Sequence, residues 1–577
     1  MSKRCRNDET KNWPPSKRLR IGELAAANAD RLSILSDEII LYIFSFLPIP
    51  SLIVCQRYSI ISSRYCFVIN SFCRLSRRFY DLAGDSELWK RLYYARWVLP
   101  RTHRLPLSKR STVCSSAFGY SPRVSKWLGH GHLAQEGQAT NWKRKYRLRH
   151  NWSRGICRVS EIEVAEPAQP PMLVTLYAGV VLTADAENGL RAWSAKNPKL
   201  CLAGISFHLG AVPTALSSSA SCCPGIIPIA VGFEDGQYKI YDLDISASHL
   251  TVRCSSTAST DGAITAVASS PPYLLVLTNH KVLSLYELPA PGMKTKSDYL
   301  TPLPRLLASF EANNIFSPLC LSIRASAAEI VASIAYSFCR IGGGWSLGIQ
   351  ELRLGEDGEH LGSRLATPVD CQYGKHHDQM QVGSVRSKSM AKKMNTPDNR
   401  CPTMLAAPLI QHHEPPTSLS YSHPYLLTSH GDNTLTMYAV VSTSDQLVIK
   451  GARRLWGHTS SVVNVQVSDR GKAVSLSSCG GELRIWELET MLSCPPSSTR
   501  ALKSEHSIQV NPENQRRKSD ERRSLAEALG RCRRSKLEDD GSRRARIRGL
   551  IGFDEEQVVV LHERGAGIQL LEYYDFT

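Results

Sequence analysis

The sequence lacks several features that define common classes of protein. Its 17 cysteines include no C-x-x-C pair, and the only adjacent two are Cys222 and Cys223. Disulfide scaffolds carry cysteines far more densely in shorter chains, so we expect reduced thiols and an intracellular protein. The most apolar run, Ile39–Cys55, is interrupted by Pro48 and Pro50. It is shorter than the roughly 20 residues of a membrane-spanning helix, so we expect no membrane association.

Motifs of the common enzyme classes are also missing. The sequence contains no P-loop, G-x-G-x-x-G, G-x-S-x-G or H-E-x-x-H motif. Gly342–Gly344 is not followed by the Lys-Ser/Thr pair of a phosphate-binding loop, and we interpret it as a turn. The pairs His376-His377 and His412-His413 lack the convergent ligands that a metal site needs, and we interpret them as solvated loop residues. We therefore expect no enzymatic activity, no catalytic residue, no cofactor and no metal.

Composition and charge indicate a globular protein with acidic partners. The 577 residues are 42% hydrophobic and 21% charged, which is enough apolar material for a large core. The net charge of +18 favours anionic partners. Residues 1–30 are interpreted as a disordered basic tail. Its clusters Lys3-Arg4 and Lys17–Arg20 are typical both of a bipartite nuclear-import signal and of a solvated tail. Met1–Arg6 has no apolar stretch behind it, unlike a secretory signal, so we expect a nuclear and/or cytoplasmic protein.

Residues 31–99 carry a helical pattern. Apolar residues recur at helical spacing and form one stripe, at Leu35, Ile39, Ile43, Phe44 and Leu47. Ser36 is a candidate N-cap and Pro48 ends the helix. A further helix is expected to start near Ser86. We interpret residues 100–150, which are rich in Arg, Lys and Ser, as a basic linker with some helix.

The pattern changes to short alternating strands after residue 151. A turn followed by a strand that ends in an aromatic residue recurs at Glu187–Trp193, Asp235–Tyr241, His280–Tyr286, Asp432–Tyr438 and Gly480–Trp486. Leu347–Gln350 and Ile568–Leu571 are weaker copies. Several intervals are close to the about 40–45 residues of a four-stranded propeller blade. The longer intervals contain polar stretches, which we predict as flexible inserts near 355–402 and 491–547. Residues 151–577 are therefore predicted to form an all-β propeller of about seven blades.

Two segments of the helical region resemble the F-box family. Leu35–Leu52 is similar to the opening half of the F-box motif, and Arg77–Trp89 is similar to its closing half. The resemblance implies a three-helix module that docks the Skp adaptor of cullin–RING ubiquitin ligases. A module this short leaves apolar side chains that need a partner surface. The adaptor-binding residues that the resemblance implies are Leu35, Ile39, Phe44, Leu47, Leu52 and Trp89. The alternative is a small helical domain whose apolar stripe is its own core.

The chain departs from the F-box pattern at two places. Ser36 stands where the family commonly has proline, and a helix start tolerates either residue. Residues 56–73 have no counterpart in the family, and the two halves would join smoothly without them. We interpret this stretch as a retained intron in the gene model or as a genuine loop insertion, which transcript sequencing would distinguish. A genuine insertion is placed where it could damage adaptor docking.

The region after residue 151 resembles WD-repeat propellers. The clearest blade has Gly457-His458, Ser477-Ser478 and Trp486. In the family, His, Ser or Thr, a turn Asp and Trp form a buried hydrogen-bonded set. Gly480 stands at the Asp position, so the set is expected to be incomplete here. Asn151–Gly155 is similar to the segment that opens the propeller after F-boxes.

The resemblance also implies two candidate target-binding residues. Arg191 and Arg484 align with d-strand positions where phosphodegron-reading relatives place arginine, while Asn464 stands at another commonly used position. An arginine fork can hold a phosphate with two hydrogen bonds. The alternative is that both side chains lie on solvated surface.

The combination predicts a non-catalytic substrate receptor of a Skp–cullin–F-box E3 ubiquitin ligase. The F-box would dock the adaptor, and the propeller would bind a target protein, phosphorylated or not. One alternative is a nuclear propeller that binds nucleic acid or chromatin through the basic runs at 143–149 and 516–546. Those runs lack the interleaved aromatic residues that stack on bases, so nucleic acid is not the partner we expect. Another alternative is a scaffold whose own turnover the adaptor regulates.

Overall fold

The computed structural model divides the chain into two compact units, residues 1–146 and residues 147–577. The residues that it describes are 35–55, 72–99, 140–165, 172–290, 303–368, 410–489, 507–512 and 546–577, with gaps at 198, 221–222, 224, 312–314, 327–328, 341–343, 356–357, 411, 479–481 and 565–567. The predicted basic tail, most of the predicted insertion at 56–73 and the His376-His377 pair lie outside these residues. None of the described helices is long and apolar enough to cross a membrane.

The first unit is helical. Its elements are α1 (Asp37–Phe44), α2 (residues 49–55), α3 (Phe72–Ala83), α4 (Ser86–Tyr93), a π-helical segment (Tyr94–Val98) and the first residues of α5 (Trp142–Arg154). Ser36 holds the extended N-cap conformation before α1, as predicted, although its side chain makes no cap hydrogen bond. Asp85 caps α4, because its Oδ1 accepts hydrogen bonds from the backbone N–H groups of Glu87 and Leu88.

Two apolar clusters form the core of the helical unit. The first joins α1, α2, α3 and α4 through buried Ile40, Phe44, Leu52, Ala83 and Leu88. The second contains only aromatic residues at its buried centre, namely Trp89, Tyr93, Trp142 and Tyr146. The last two belong to the segment predicted as a linker, and Tyr146 packs edge-on against Trp89 at 5.3 Å between ring centroids. Residues 142–146 are therefore part of this core.

The second unit is a β-propeller, and the described residues form seven sheets. This confirms the predicted architecture. Blade 1 contains β2 (Leu173–Tyr177), β3 (Val180–Asp185), β4 (Gly189–Ser194) and β5 (Cys201–Ile205). Blade 2 contains β6 (Pro213–Ser218), β7 (Ile226–Phe233), β8 (Tyr238–Asp244) and β9 (His249–Ser255). Blade 3 contains β10 (Ile264–Ser270), β11 (Tyr273–Thr278), β12 (Val282–Glu287) and β13 (Arg305–Glu311).

The remaining blades complete the ring. Blade 4 contains β14 (Phe316–Ala325), β15 (Ile330–Arg340), β16 (Gly344–Leu354) and β17 (His360–Ala366). Blade 5 contains β18 (Ser418–Ser422), β19 (Tyr425–Ser429), β20 (Leu435–Ser442) and β21 (Leu447–Leu455). Blade 6 contains β22 (Val462–Val467), β23 (Lys472–Ser477), β24 (Leu483–Glu487) and β25 (Ser507–Gln509). Blade 7 contains β27 (Arg546–Phe553), β28 (Gln557–Arg564), β29 (Ile568–Asp575) and β1 (Ile156–Ala165), with β26 (Asn511–Pro512) beside β1.

The ring closes by a strand from the beginning of the unit. β1 pairs antiparallel with β29, so the outer strand of blade 7 precedes blade 1 in the sequence. The first strands of neighbouring blades contact one another around the whole ring, and β27 contacts both β22 and β2. Seven apolar clusters lie between successive blades. Each blade is therefore held by burial against both neighbours.

The described apolar parts of the seven repeated segments all lie on the third strand of a blade. The strands are β4, β8, β12, β16, β20, β24 and β29. Where a copy ends in a buried aromatic residue, as at Tyr241, Tyr438 and Trp486, that ring lies in the cluster between two blades. The second strands are buried over nearly their whole length. The third strands follow a turn and in five blades end in an aromatic residue, and this combination is what recurs recognisably in the sequence.

The predicted inserts contain short strands. His360–Ala366 and Ser507–Gln509 lie inside the segments predicted as inserts, and they form the outer strands of blades 4 and 6. Outer strands are covered on fewer sides, so polar and apolar residues mix along them and the sequence pattern is weak.

Gly344 ends the predicted glycine turn and begins β16. Its φ is +75°, in the left-handed region that favours glycine. A Cβ at this position would lie 2.4 Å from the backbone oxygen of His412, which is too close for any other residue. The positive φ of residue 344 and its close approach to the His412 backbone therefore both require glycine at this position.

We name the two faces of the ring by their connections. The loop face carries the connections from the fourth strand of one blade to the first strand of the next, such as 206–212 and 456–461. The turn face carries the first-to-second and third-to-fourth connections, such as 326–329 and 443–446. The four main strands of every sheet pair antiparallel, in chain order except that β1 supplies the fourth strand of blade 7, so connections of one kind lie on the same face.

Candidate functional site

The residues assigned to adaptor binding occupy two kinds of place in the helical unit. Leu52, Phe44 and Trp89 are buried in its core. Leu35 and Leu47 are half-buried and pack against the first core cluster. Ile39 is 48% exposed on the outer side of α1. Their role in adaptor binding stays a prediction, but three of them have an evident structural role.

A second set of apolar side chains points away from the core. α1 is apolar on opposite sides, so that Ile40 and Phe44 face inward while other large residues face outward. Phe46 is 71% exposed and packs edge-on with Tyr42, at 5.0 Å between ring centroids. We call the exposed set the helical apolar face: Ile39, Tyr42, Ile43, Phe46, Ile53 and Val54. Exposed apolar residues of this size are candidates for a docking surface.

Arg191 lies on β4, the third strand of blade 1, and not on a fourth strand as the alignment implied. Its Nη2 donates a 2.9 Å hydrogen bond to Oδ2 of Asp185, whose side chain is fully buried. The other oxygen of Asp185 accepts hydrogen bonds from the backbone of Glu187 and Asn188. The guanidinium therefore neutralises a buried carboxylate that holds the turn.

Arg484 is also on a third strand, β24 of blade 6, and also has partners inside the chain. Its Nε donates to Oε1 of Glu482 at 2.7 Å, and its Nη1 donates to Oγ of Ser507 at 2.8 Å. Asn464 lies on the first strand of the same blade. Target binding by Arg191 and Arg484 stays a prediction, and each would have to exchange a carboxylate partner to bind a phosphate.

Blade 6 contains a buried hydrogen-bonded set. Nε2 of His458 lies 2.6 Å from Oγ of Ser475, which also accepts a 2.8 Å hydrogen bond from Nε1 of Trp486. A Glu482 oxygen lies 3.6 Å from Nδ1 of His458. The resemblance to WD repeats predicted Ser477 or Ser478 in the set and no carboxylate. The structure supplies Ser475 and Glu482 instead, because the acidic residue comes two positions after Gly480.

Blade 5 holds a pair of stacked histidines. The rings of His412 and His430 are parallel within 7° and 3.7 Å apart. His430 shares a 3.0 Å hydrogen bond with Thr428, and His412 shares a 3.3 Å one with Thr436. The interpretation of His412 as a solvated loop residue is therefore wrong, since stacking and hydrogen bonding hold it in the blade. Among the described residues, no group of three or more His, Cys, Asp and Glu is arranged to hold a metal.

The three ordered histidines predict a loss of stability in mild acid. Burial lowers the pKa of His412 and of His458 to about 4, and burial also lowers the pKa of His430 to about 3, from 6.5. Between about pH 6.5 and pH 4 the unfolded chain binds more protons at these sites, so the free energy of unfolding falls as pH falls. We expect a steep decrease in urea midpoint between pH 7 and pH 5.

The control for this pH dependence is His458→Gln, which removes one titrating group and keeps a hydrogen-bonding side chain. Its urea midpoint is expected to fall less steeply between pH 7 and pH 5 than that of the natural chain. Equal slopes for the two proteins would contradict the assignment of His458 as a group that is neutral in the folded state.

The fold and these sites define a seven-bladed β-propeller protein with a helical unit that presents an apolar face. A family model described as the F-box protein pof12 β-propeller matches residues 157–577. The chain belongs to this family of F-box proteins with a propeller.

Individual relatives are more distant. F-box protein pof12 of Schizosaccharomyces pombe (strain 972 / ATCC 24843) is 34% identical over 80 residues, which are 14% of this chain and 18% of that protein. Among solved structures, the Cps50 (Swd1) β-propeller domain of Myceliophteria thermophila is 10% identical, with a TM-score of 0.36, covering 73% of this chain and 100% of that one. The WD40 β-propeller domain of Doa1 is 9% identical, with a TM-score of 0.32, covering 72% and 95%.

Proposed function

We propose that this protein is the substrate receptor of a Skp–cullin–F-box ubiquitin ligase. The observation that carries the proposal is the helical apolar face in a member of an F-box propeller family. Phe44, Leu52 and Trp89 build the core that orients this face. The exposed side chains, with Ile43 and Phe46 among them, supply the surface that an adaptor would cover.

The proposed mechanism needs no catalytic residue in this chain. The helical unit binds the adaptor, and the propeller binds a target protein. Holding both partners raises the effective concentration of the target lysines near the loaded ubiquitin-conjugating enzyme. The rate of ubiquitin transfer rises because the reacting groups are brought together and oriented.

We place the target on the loop face of the propeller. Trp456 is 67% exposed in the connection between blades 5 and 6, and the Arg454 guanidinium lies 5.7 Å from its ring centroid. Phe316, at the start of blade 4, is also exposed, with Lys281 5.2 Å from its ring centroid. Exposed aromatic side chains beside cations are typical centres of protein-binding surfaces.

Substitutions on the helical apolar face test adaptor docking. We expect Ile43→Lys or Phe46→Lys in the full chain to weaken binding of a purified Skp-type adaptor by about 30-fold or more. Both side chains are exposed, so the folded structure should be retained, which circular dichroism would verify. Binding is measured by titration with labelled adaptor.

The matched control for adaptor docking is Leu209→Lys. Leu209 is an exposed apolar residue of the propeller loop face, so the same charge is introduced away from the helical unit. Adaptor affinity is expected to be unchanged in this variant. No adaptor binding by the natural chain, or equal affinity in all the variants, would refute the proposed ligase role.

A further inference from the structure

Three arginines meet between blades 4 and 5 near the turn face. Arg324 is near the end of β14, Arg353 is at the end of β16, and Arg364 is on β17. We call them the arginine cluster. Glu351, on β16, lies among them with a fully buried side chain. Glu329, in the first turn of blade 4, is partly exposed beside Arg353.

Carboxylates and one neighbouring loop hold the cluster in place. Arg324 Nη2 donates to Glu351 Oε1 at 2.6 Å, and Arg353 Nε donates to Glu329 Oε2 at 2.7 Å. Arg364 Nη2 is 3.5 Å from the other oxygen of Glu351. The turn after β20 contributes backbone oxygens, which accept hydrogen bonds from Arg353 and Arg364. The guanidinium groups are therefore fixed by contacts from two blades.

The charges of the cluster do not balance. Three guanidinium groups share the two carboxylates of Glu351 and Glu329. Burial has the largest effect on the pKa of Arg364 and lowers it, and repulsion from Arg353 lowers it further. The carboxylates of Glu351 and Glu329 act in the opposite direction but do not cancel this change. One positive charge is left in a partly buried site, where an added anion would be attracted to the net positive charge.

Hydrogen-bond donors also remain. The Nε atoms of Arg324 and Arg364 are buried, and neither has a hydrogen-bond partner among the described residues. No described residue accepts a hydrogen bond from Arg324 Nη1 either, since the bonds of this side chain all come from Nη2. The side chains of Arg324, Arg353 and Arg364 keep 26%, 19% and 18% of their surface exposed, so a ligand can reach them.

We infer that the arginine cluster is a binding site for a phosphoryl group, either free phosphate or a phosphorylated side chain of a partner. The excess positive charge favours an anion, and planar guanidinium groups match the tetrahedral array of phosphate oxygens with several hydrogen bonds. The ligand would bind the exposed parts of the guanidinium groups, where Arg324 Nη1 is a donor that no described residue uses. The site lies in the propeller and does not depend on adaptor docking by the helical unit.

The test measures binding to the full chain by calorimetry. The probes are inorganic phosphate, a short phosphoserine peptide with neutral flanks, and the same peptide without phosphate. We expect binding of one or both phosphorylated probes at or below about 10 mM and none of the third. Arg324→Lys keeps the charge but loses the fork, and should weaken binding about tenfold.

The Glu329→Gln variant is expected to increase the affinity for phosphate, which a purely structural role of Glu329 would not produce. Removal of this partly exposed carboxylate increases the excess positive charge, so phosphate should bind about threefold more tightly or better. The control is Arg305→Ala, an exposed arginine on the outer strand of blade 3, for which affinity should not change. Circular dichroism confirms that each variant is folded.

The outcomes distinguish free phosphate from a phosphorylated partner as the ligand. They also distinguish failure of the phosphoryl-site inference from failure of the proposed ubiquitin-ligase role. Binding of phosphate alone indicates a free anion, while preference for the phosphopeptide indicates a modified partner. Failure of both to bind, or affinities that do not respond to Arg324→Lys and Glu329→Gln, would overturn the inference. Adaptor binding measured on the same preparations is expected to be unchanged in every variant, so loss of either activity identifies which proposal has failed.

Discussion

Replacement of Trp152 by alanine is expected to lower the free energy of unfolding of the propeller by about 3–5 kcal/mol. The Trp152 indole stacks on Phe576, with 4.0 Å between ring centroids, and its Nε1 donates a 2.7 Å hydrogen bond to the backbone oxygen of Glu555. The Lys472 ammonium lies 3.7 Å from the ring centroid. Trp152 therefore joins the start of the unit to blades 6 and 7 where the ring closes.

The surroundings of this indole explain the size of the effect. Asn151 donates a 2.8 Å hydrogen bond to the backbone oxygen of Phe576. The first and last segments of the propeller unit are therefore hydrogen-bonded to each other beside the indole. Burial lowers the pKa of Lys472 to about 7. Loss of the indole would leave a cavity and remove the aromatic surface that stabilises this ammonium.

Trp456→Ala is the matched control, because it removes the same side chain from an exposed position. Its free energy of unfolding should change by no more than about 0.5 kcal/mol. Both variants are measured by urea denaturation with circular dichroism. If Trp152→Ala unfolds at the same urea concentration as Trp456→Ala, closure does not depend on this contact.

Glu351→Ala is expected to cost about 3–5 kcal/mol, because it removes one partner from a buried ion-pair network. Glu351 accepts hydrogen bonds from Arg324 and from Oγ of Ser442, the latter at 2.7 Å. It thereby joins blade 4 to blade 5. Without it, the guanidinium groups of Arg324 and Arg364 would repel each other in a site where water screens them poorly.

An exposed ion pair provides the comparison. Glu287 lies 3.6 Å from Arg305 with both side chains largely exposed, and Glu287→Ala should cost between about 0 and 1 kcal/mol. The thermal midpoints of the two variants are compared at equal salt. If Glu351→Ala melts within experimental error of Glu287→Ala, the network does not hold blades 4 and 5 together.

Parts of the fold could be predicted from the sequence because local pattern and burial coincide there. The third strands follow a turn, and their repeated turn-strand-aromatic pattern located five blades, with two weaker copies marking the other two. Strands such as His360–Ala366 lie at the outer edge, where burial is one-sided, so their sequence is typical of a loop. The helical stripe was evident too, but α1 is apolar on both sides, and spacing alone does not tell whether Ile40 or Ile39 faces the core.

The candidate sites were less predictable, because they depend on partners distant in sequence. Alignment selected Arg191 and Arg484, but not the carboxylates Asp185 and Glu482 that neutralise them. His412 has the sequence surroundings of a loop residue, and only the fold brings it onto the ring of His430. Whether a charged side chain is free to bind a ligand depends on which oppositely charged residues fold against it. The local sequence around the side chain does not contain this information.

The sequence by itself determined the kinds of element, their order, a propeller of about seven blades and an N-terminal apolar helix that resembles an F-box; the count of seven comes from the structure. Only the tertiary structure decided that Ile156–Ala165 closes the ring against Ile568–Asp575, and that three arginines share two carboxylates between blades 4 and 5. Periodicity follows from hydrogen bonding and burial between near neighbours in the chain. Ring closure and charge pairing join residues far apart in sequence, so they follow only from the packed arrangement of all seven blades.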